Sequence, residues 1–167
     1  MASQPLNTLH DLFVMGLKET YGAELQIMDI MPQVIDAVSS SDLKQAFQNH
    51  VQATQEQISR LEDVFEMLDI DPEPMTCNAV AGLIEDGKRI IQASGDPMVK
   101  DAGLIAAEQK MEHFEIASYG TLRTWAQEMG HNDVADILQM TLKEESQTDK
   151  QLSQMAEERI NVNAPMM

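Results

Sequence analysis

The sequence predicts an all-α protein built as a four-helix bundle of two antiparallel helix hairpins. In four long stretches the apolar residues recur at steps of three and four, which places them on one face of a helix. Clusters of proline, glycine and serine separate these stretches, and no alternating pattern typical of strands competes with them. The chain has 167 residues, which suits one domain with a real core, so we expect residues 1–167 to form a single domain.

Local start and stop signals set the predicted helix boundaries. Pro32 lies inside the first helix, where we expect a kink or the end of its regular part, and Pro72 helps to end the second. Gly130 is the stop of a tight helix–helix turn. Residues 1–4 and the end of segment 161–167 have no pattern and are expected to be loose. The resulting helices span about residues 6–38, 43–68, 78–92, 97–129 and 133–159.

The connection between the two hairpins is long. It covers about 28 residues and contains the extra short helix at about 78–92. A segment of this length can cross the bundle, and a four-helix bundle with one long crossover has ferritin-like connectivity. The sequence therefore predicts a ferritin-like bundle with an additional crossover helix.

The charge balance limits the classes of partner. The net charge is −17, from 11 basic and 28 acidic residues. Nucleic-acid backbones and anionic membrane surfaces both require basic clusters, so we expect neither as a partner. The lone Cys77 excludes an internal disulfide. No apolar run approaches the roughly 20 residues of a membrane span, and no signal peptide is evident, so we expect a cytoplasmic protein that attracts cations.

Acidic residues stand on the apolar faces of the last two long helices. Glu112 and Glu115 share one face of the helix at 97–129, one turn apart, and Glu145 and Asp149 stand in the apolar stripe of the final helix. Buried carboxylates are costly unless they bind cations or stay protonated. Carboxylates that converge from facing helices are the usual way in which a helix bundle holds divalent metals.

The first hairpin offers fewer candidate ligands. Glu24 lies on the stripe of the first helix, opposite Gln57 of the second, which offers a carbonyl oxygen but no charge. His50 lies about two turns nearer the loop between these helices, roughly 10 Å away at 1.5 Å per residue. That distance is too large for one metal centre unless a register shift brings His50 in. The candidate metal ligands are Glu24, His50, Glu112, Glu115, Glu145 and Asp149. Most of them are oxygen donors, which favour iron, manganese or magnesium.

Each candidate also has a structural interpretation. Glu24 and Asp149 could be solvated helix acids, and His50 could be a hydrogen-bonded core or interface histidine. His113 lies off the centre of its face, so an interhelix hydrogen bond is favoured over ligation. Tyr119 is expected in the core, with a hydrogen bond to a carboxylate as one option.

Five segments carry a resemblance to a known family. They are residues 20–26 (TYGAELQ), 50–61 (HVQATQEQISRL), Cys77 with 82–85 (GLIE), 112–122 (EHFEIASYGTL) and 141–149 (TLKEESQTD). Over nearly its whole length the chain is similar to the YciE/YciF family of bacterial ferritin-like proteins. The resemblance implies a dimeric, rubrerythrin-related bundle associated with bacterial stress responses.

The resemblance also tests the ligand set. Rubrerythrin-like sites have a Glu on the first helix, a Glu-x-x-Glu on the third and a Glu followed by His on the fourth. Glu24, the Glu112–Glu115 pair and Glu145 match, with Asp149 in place of the histidine. The Glu-x-x-His expected on the second helix is missing. Two functions therefore stay open: a protein that binds one or two iron (or manganese) ions, and a non-catalytic structural or interaction protein on a degenerate ferritin-like scaffold.

Overall fold

The computed structural model describes residues 5–166, and every regular element in that range is helical. The sequence prediction of an all-α bundle is therefore confirmed. The elements are α1 (Leu9–Ala37), α2 (Ser41–Met67), α3 (Asn78–Gln92), α4 (Pro97–Glu128), α5 (Asn132–Met155), a π-helical turn (Ala156–Ile160) and α6 (Asn161–Asn163).

The helix boundaries have local chemical causes. Thr8 caps α1 by accepting a hydrogen bond from the backbone N–H of Asp11, whose carboxylate in turn accepts from the backbone of Thr8. The Ser40 hydroxyl accepts from the first turn of α2, and the Asp96 carboxylate accepts from the first turn of α4. Gly130 has a φ of 81°, the left-handed conformation that commonly follows the end of a helix.

Two details concern the predicted helix ends. Helix α1 continues through Pro32 to Ala37, close to its predicted end at about residue 38, so the alternative that its regular part ends at Pro32 is wrong. Buried residues on either side, Met31 and Val34, hold this segment against the core. The C-terminal helical path continues through the π-helical turn to Asn163, so the first residues of segment 161–167 are helical although they carry no sequence pattern. The expectation for residues 1–4 falls outside the described residues.

The helices pack as two hairpins joined by the crossover. Helix α1 packs on α2 and α4 packs on α5, while α3 lies against α1 and α4. The crossover is fastened to α1 by reciprocal hydrogen bonds between the Gln26 amide and the backbone of Cys77. At Gly22 the carbonyl of Met75 comes so close that a Cβ would lie 1.8 Å from its oxygen. No described helix is long and apolar enough to cross a membrane.

A buried polar layer divides the core into two apolar halves. Each of the four long helices carries buried polar residues in its middle part. Along each helix, one apolar cluster lies before these polar residues, and most of the other apolar cluster lies after them. The first half contains Ile27, Met31, Leu43, Phe47, Leu104, Ile105 and Leu152. The second contains Phe13, Leu17, Leu61, Phe65, Leu122, Val134 and Leu138.

Candidate metal centre

Five glutamates and one histidine meet in the polar layer. Each is at most 4 % exposed, although carboxylates are rarely buried without partners. Helix α1 contributes one glutamate, α2 the histidine, α4 three glutamates and α5 one. They are Glu24, His50, Glu108, Glu112, Glu115 and Glu145.

Two overlapping groups within this cluster have the spacing of metal ligands. Glu24, Glu115 and Glu145 form one group, and His50, Glu112 and Glu145 form the other. Within each group, one donor atom from every residue lies within 4.8 Å of the others. Glu145 belongs to both groups, so the cluster could hold one ion or two neighbouring ions that share this carboxylate.

The structure brings His50 into the cluster, although the sequence placed it about 10 Å from the level of Glu24. The reason is the register of the hairpins. The backbone N–H groups of Ser39 and Ser40 donate to the Asp101 carboxylate at 2.9 and 2.7 Å, which fixes the α1–α2 loop beside the beginning of α4. Helices α2 and α4 therefore both begin at this end of the bundle. His50 lies at the level of α4 residues that are nearer to the loop than Glu115 is. The cluster extends over about two helical turns instead of one level.

The contacts of His50 indicate which ring nitrogen carries the proton in the neutral form. Thr54 donates its single hydroxyl hydrogen to the His50 carbonyl at 3.0 Å, so its oxygen, 3.4 Å from Nε2, can only accept from the ring. A carboxylate oxygen of Glu108 also lies 3.1 Å from Nε2. In neutral His50 the proton then sits on Nε2, and the lone pair of Nδ1 points toward Glu112, 3.5 Å away. Metal-binding histidines commonly have such a partner on the second nitrogen.

Glu108 was missed as a site residue in the sequence. It is 3 % exposed and contacts His50, whereas the predicted ligands on this helix were only Glu112 and Glu115. The signal was present, because Ile105, Glu108, Glu112 and Glu115 continue one stripe at steps of three and four.

Asp149 does not join either metal-binding group. Its carboxylate accepts from the Gln109 side chain at 3.0 Å and lies 3.4 Å from Nε2 of His113, a residue whose side chain is 69 % exposed. It faces the edge of the α4–α5 interface, where its charge still helps to raise the pKa of Glu112.

An ion pair takes the place of a second-helix ligand at the level of Glu24. Arg60 donates two hydrogen bonds to the Glu144 carboxylate, at 2.6 and 2.8 Å, and the Gln57 amide donates to the same carboxylate at 3.2 Å. The Gln57 carbonyl oxygen is left buried without a hydrogen-bond partner. Near Glu24, helix α2 therefore offers one neutral oxygen where the family resemblance leads one to expect a glutamate.

Burial controls the electrostatics of the cluster. Removal from water raises the pKa of Glu24 to about 7 and that of Glu145 to about 8. Burial and the neighbouring Glu145 raise the pKa of Glu112 to about 11. Burial and the nearby Glu24 also raise the pKa of Glu115 well above its ordinary value. Without a cation, several of these carboxyl groups hold protons at neutral pH.

The unpartnered atoms of the cluster fit a cation. Among the described residues, both oxygens of Glu112, Glu115 and Glu145, one oxygen of Glu24 and Nδ1 of His50 are buried and have no conventional hydrogen-bond partner. Glu24 pairs with Glu115, and Glu112 pairs with Glu145, only if the two carboxyl groups share a proton. Buried polar atoms normally have a partner, and leaving one without costs about 1–3 kcal/mol. A divalent cation would satisfy these oxygen and nitrogen atoms together.

Fold and site together define the class of this protein, an all-α bundle with a buried cluster of carboxylates and one histidine. The chain belongs to the family described as a domain of unknown function, DUF892, whose profile matches residues 8–165. It is 40% identical to Protein YciF of Escherichia coli K12 over 160 residues, which cover 95% of this chain and 96% of that protein. The similarity to the YciE/YciF family is thereby confirmed.

Solved structures support the same placement. The crystal structure of the E. coli stress protein YciF superposes with a TM-score of 0.90 and 40% identity, over 93% of this chain and 99% of that one. YcfI of Rhodopseudomonas palustris, for which a structural role has been suggested, gives a TM-score of 0.88 and 38% identity over 92% of this chain and 98% of that chain. A Xanthomonas campestris protein shares the fold at 22% identity, with a TM-score of 0.72 over 92% of this chain and 94% of that chain.

Proposed function

We propose that this chain is a ferritin-like protein that binds one or two iron or manganese ions in its buried cluster. The observation that carries the proposal is the set of buried carboxylate oxygens without partners, supplied by three helices and joined by Nδ1 of His50 from a fourth. Solvated acids or structural ion pairs would not leave so many buried oxygens unsatisfied.

The two groups assign separate positions to the ions. Glu24 and Glu115 would hold one ion, His50 and Glu112 would hold the other, and Glu145 would contact both. Glu108 would act on His50 and not on the metal, because it lies against Nε2. Asp149 would stay outside the ligand set as a nearby charge. A donor set of carboxylates with one imidazole favours iron or manganese over zinc or copper, and bound iron would supply one-electron chemistry with dioxygen or peroxide.

We place this activity in a bacterial stress response, in a cytoplasmic homodimer. The support is the similarity to YciF, which is described as a stress protein, together with the family resemblance. A free and buried Cys77 is compatible with a reducing compartment. Sedimentation velocity of the purified chain would test the dimer directly.

A second candidate function is that of a structural or interaction protein without metal chemistry. The Arg60–Glu144 ion pair and Gln57 favour it, since they occupy the level where a complete di-iron centre would have ligands from α2. The structural role suggested for YcfI points the same way. In this case the cluster would be held by shared protons alone.

Metal content separates the two functions. The chain is purified aerobically, loaded with Fe(II) or Mn(II) and desalted, and bound metal is measured by plasma mass spectrometry. We expect one or two ions per chain in the wild type and loss of most of them in Glu112→Gln/Glu145→Gln. The exposed pair Glu66→Gln/Glu128→Gln makes the same two side-chain changes at the surface and should keep the metal. Absence of stoichiometric metal in the wild type would favour the second function.

A further inference from the structure

A surface cleft beside the cluster reaches two of its buried residues. The cleft lies between α2, α4 and the C-terminal part of α5, with a volume of about 310 Å³. His50 and Glu108 line it although they are only 4 % and 3 % exposed, so they form its floor. Four other surface clefts, of about 240 to 310 Å³, are lined by none of the cluster residues.

The floor of the cleft is connected to the centre of the cluster by a short series of side-chain atoms. Glu108 lies 3.1 Å from one nitrogen of His50, and Glu112 lies 3.5 Å from the other. Glu112 then shares a ligand group with Glu145. Oε1 of Glu108, the oxygen that faces Nε2 of His50, is buried and makes no hydrogen bond within the described residues, so a cation that reaches the floor of the cleft can contact it beside His50.

The walls of the cleft combine apolar side chains, such as Phe47 and Leu152, with polar ones. Gln151 and Thr148 are among the polar residues, and side-chain oxygens of this kind can replace waters of a hard cation. Glu158, on the π-helical turn, places a further carboxylate at the rim. Among the described residues that line the cleft, only Arg159 is basic, and its guanidinium is paired with Asp42. Acidic clefts with low-dielectric walls concentrate cations and raise their rate of association.

We propose that this cleft is the passage through which a hydrated divalent cation enters the buried cluster, with Glu108 as the first carboxylate that it meets below the surface. The inference rests on the proposed metal-binding function and adds a route to it. It gives Glu108, which lies outside both ligand groups and beside Nε2 of His50, a second role.

Rapid mixing with Co(II), whose visible absorption changes on binding, tests the route. Thr148→Trp narrows the cleft, and Ser118→Trp makes the same change in the cleft between α1 and α4, which touches no cluster residue. We expect Thr148→Trp to slow both Co(II) uptake and removal by a chelator about tenfold, with the number of bound ions unchanged. Ser118→Trp should match the wild type.

A second variant tests the route without the introduced tryptophan side chain. Glu108→Gln preserves shape and removes the inner charge, so uptake should slow about tenfold even if Thr148→Trp folds poorly. Uptake at the wild-type rate in Glu108→Gln, or in a folded Thr148→Trp, would overturn the route while leaving the metal site intact. Failure of the wild type to bind Co(II) would overturn both the route and the proposed function.

Discussion

The hydroxyl of Tyr119 donates a hydrogen bond of 2.5 Å to a carboxylate oxygen of Glu24, joining α4 to α1 inside the bundle. Both side chains are fully buried. The bond lowers the pKa of Glu24 against the larger effect of burial, which still leaves that pKa at about 7. Tyr119 therefore supports the charged form of this candidate ligand without belonging to either ligand group.

Removal of the Tyr119 hydroxyl should weaken both the fold and the site. In Tyr119→Phe, Glu24 loses a buried hydrogen bond, so we expect the free energy of unfolding to fall by about 1–3 kcal/mol in urea titrations. The affinity for the first added metal should fall as well, because the charged form of Glu24 becomes less favourable. Tyr21→Phe is the matched control, since the Tyr21 hydroxyl donates to Glu62 at a partly buried position away from the cluster. If Tyr21→Phe lowered the metal affinity as much as Tyr119→Phe does, the hydrogen bond from Tyr119 to Glu24 would not be what supports metal binding.

The metal-free protein should be less stable at higher pH. The folded state holds protons on Glu24 up to a pKa of about 7 and on Glu145 up to about 8, whereas an exposed glutamate loses its proton near 4.5. Between these values the folded state binds more protons than the unfolded state, so stability falls as pH rises through this window. For Glu24 alone, the free energy of unfolding should fall by about 3 kcal/mol across the whole window. Thermal unfolding should therefore occur several degrees lower at about pH 8 than at about pH 5.5.

Neutral substitutions in the cluster provide the control for this pH dependence. Glu112→Gln/Glu145→Gln removes two groups that titrate in the folded state, so its unfolding temperature should vary less with pH and exceed that of the wild type at high pH. Saturating metal should also flatten the wild-type profile, since bound carboxylates no longer carry protons. A wild-type protein whose stability rises between about pH 5.5 and pH 8 would contradict the assigned burial of these carboxylates.

The sequence predicted the fold far more completely than the site. Apolar stripes and turn residues placed the four long helices and the short crossover helix within a few residues of their observed ends, because these signals are local. Local signals could not predict that His50 lies beside Glu112, because this contact depends on the register between the two hairpins. Contacts such as the one between Asp101 and the α1–α2 loop set that register. Glu108 lay on a stripe already identified. The Arg60–Glu144 ion pair needed the distance between α2 and α5, which no local pattern contains.

Metal binding should release protons. At neutral pH the carboxyl groups of Glu112 and Glu145 are held protonated by burial, with pKa values of about 11 and 8, and ligands must lose their protons to bind. Calorimetric titration with Mn(II) in buffers of different ionisation enthalpy should give apparent enthalpies that change with the buffer. Apparent affinity should rise with pH. Binding with the same enthalpy in every buffer would place the metal on solvated carboxylates at the surface.

Replacement of His50 should remove one ion and leave the other. His50→Leu deletes the only nitrogen donor of the His50–Glu112–Glu145 group, whereas Glu24, Glu115 and Glu145 keep their positions. If the wild type binds two ions per chain, we expect His50→Leu to bind one, as measured by plasma mass spectrometry after desalting. His113→Leu is the matched control, because its ring is largely exposed and contacts Asp149 outside the cluster. Full metal content in His50→Leu would show that His50 is a structural histidine, and that the carboxylates alone hold the ions.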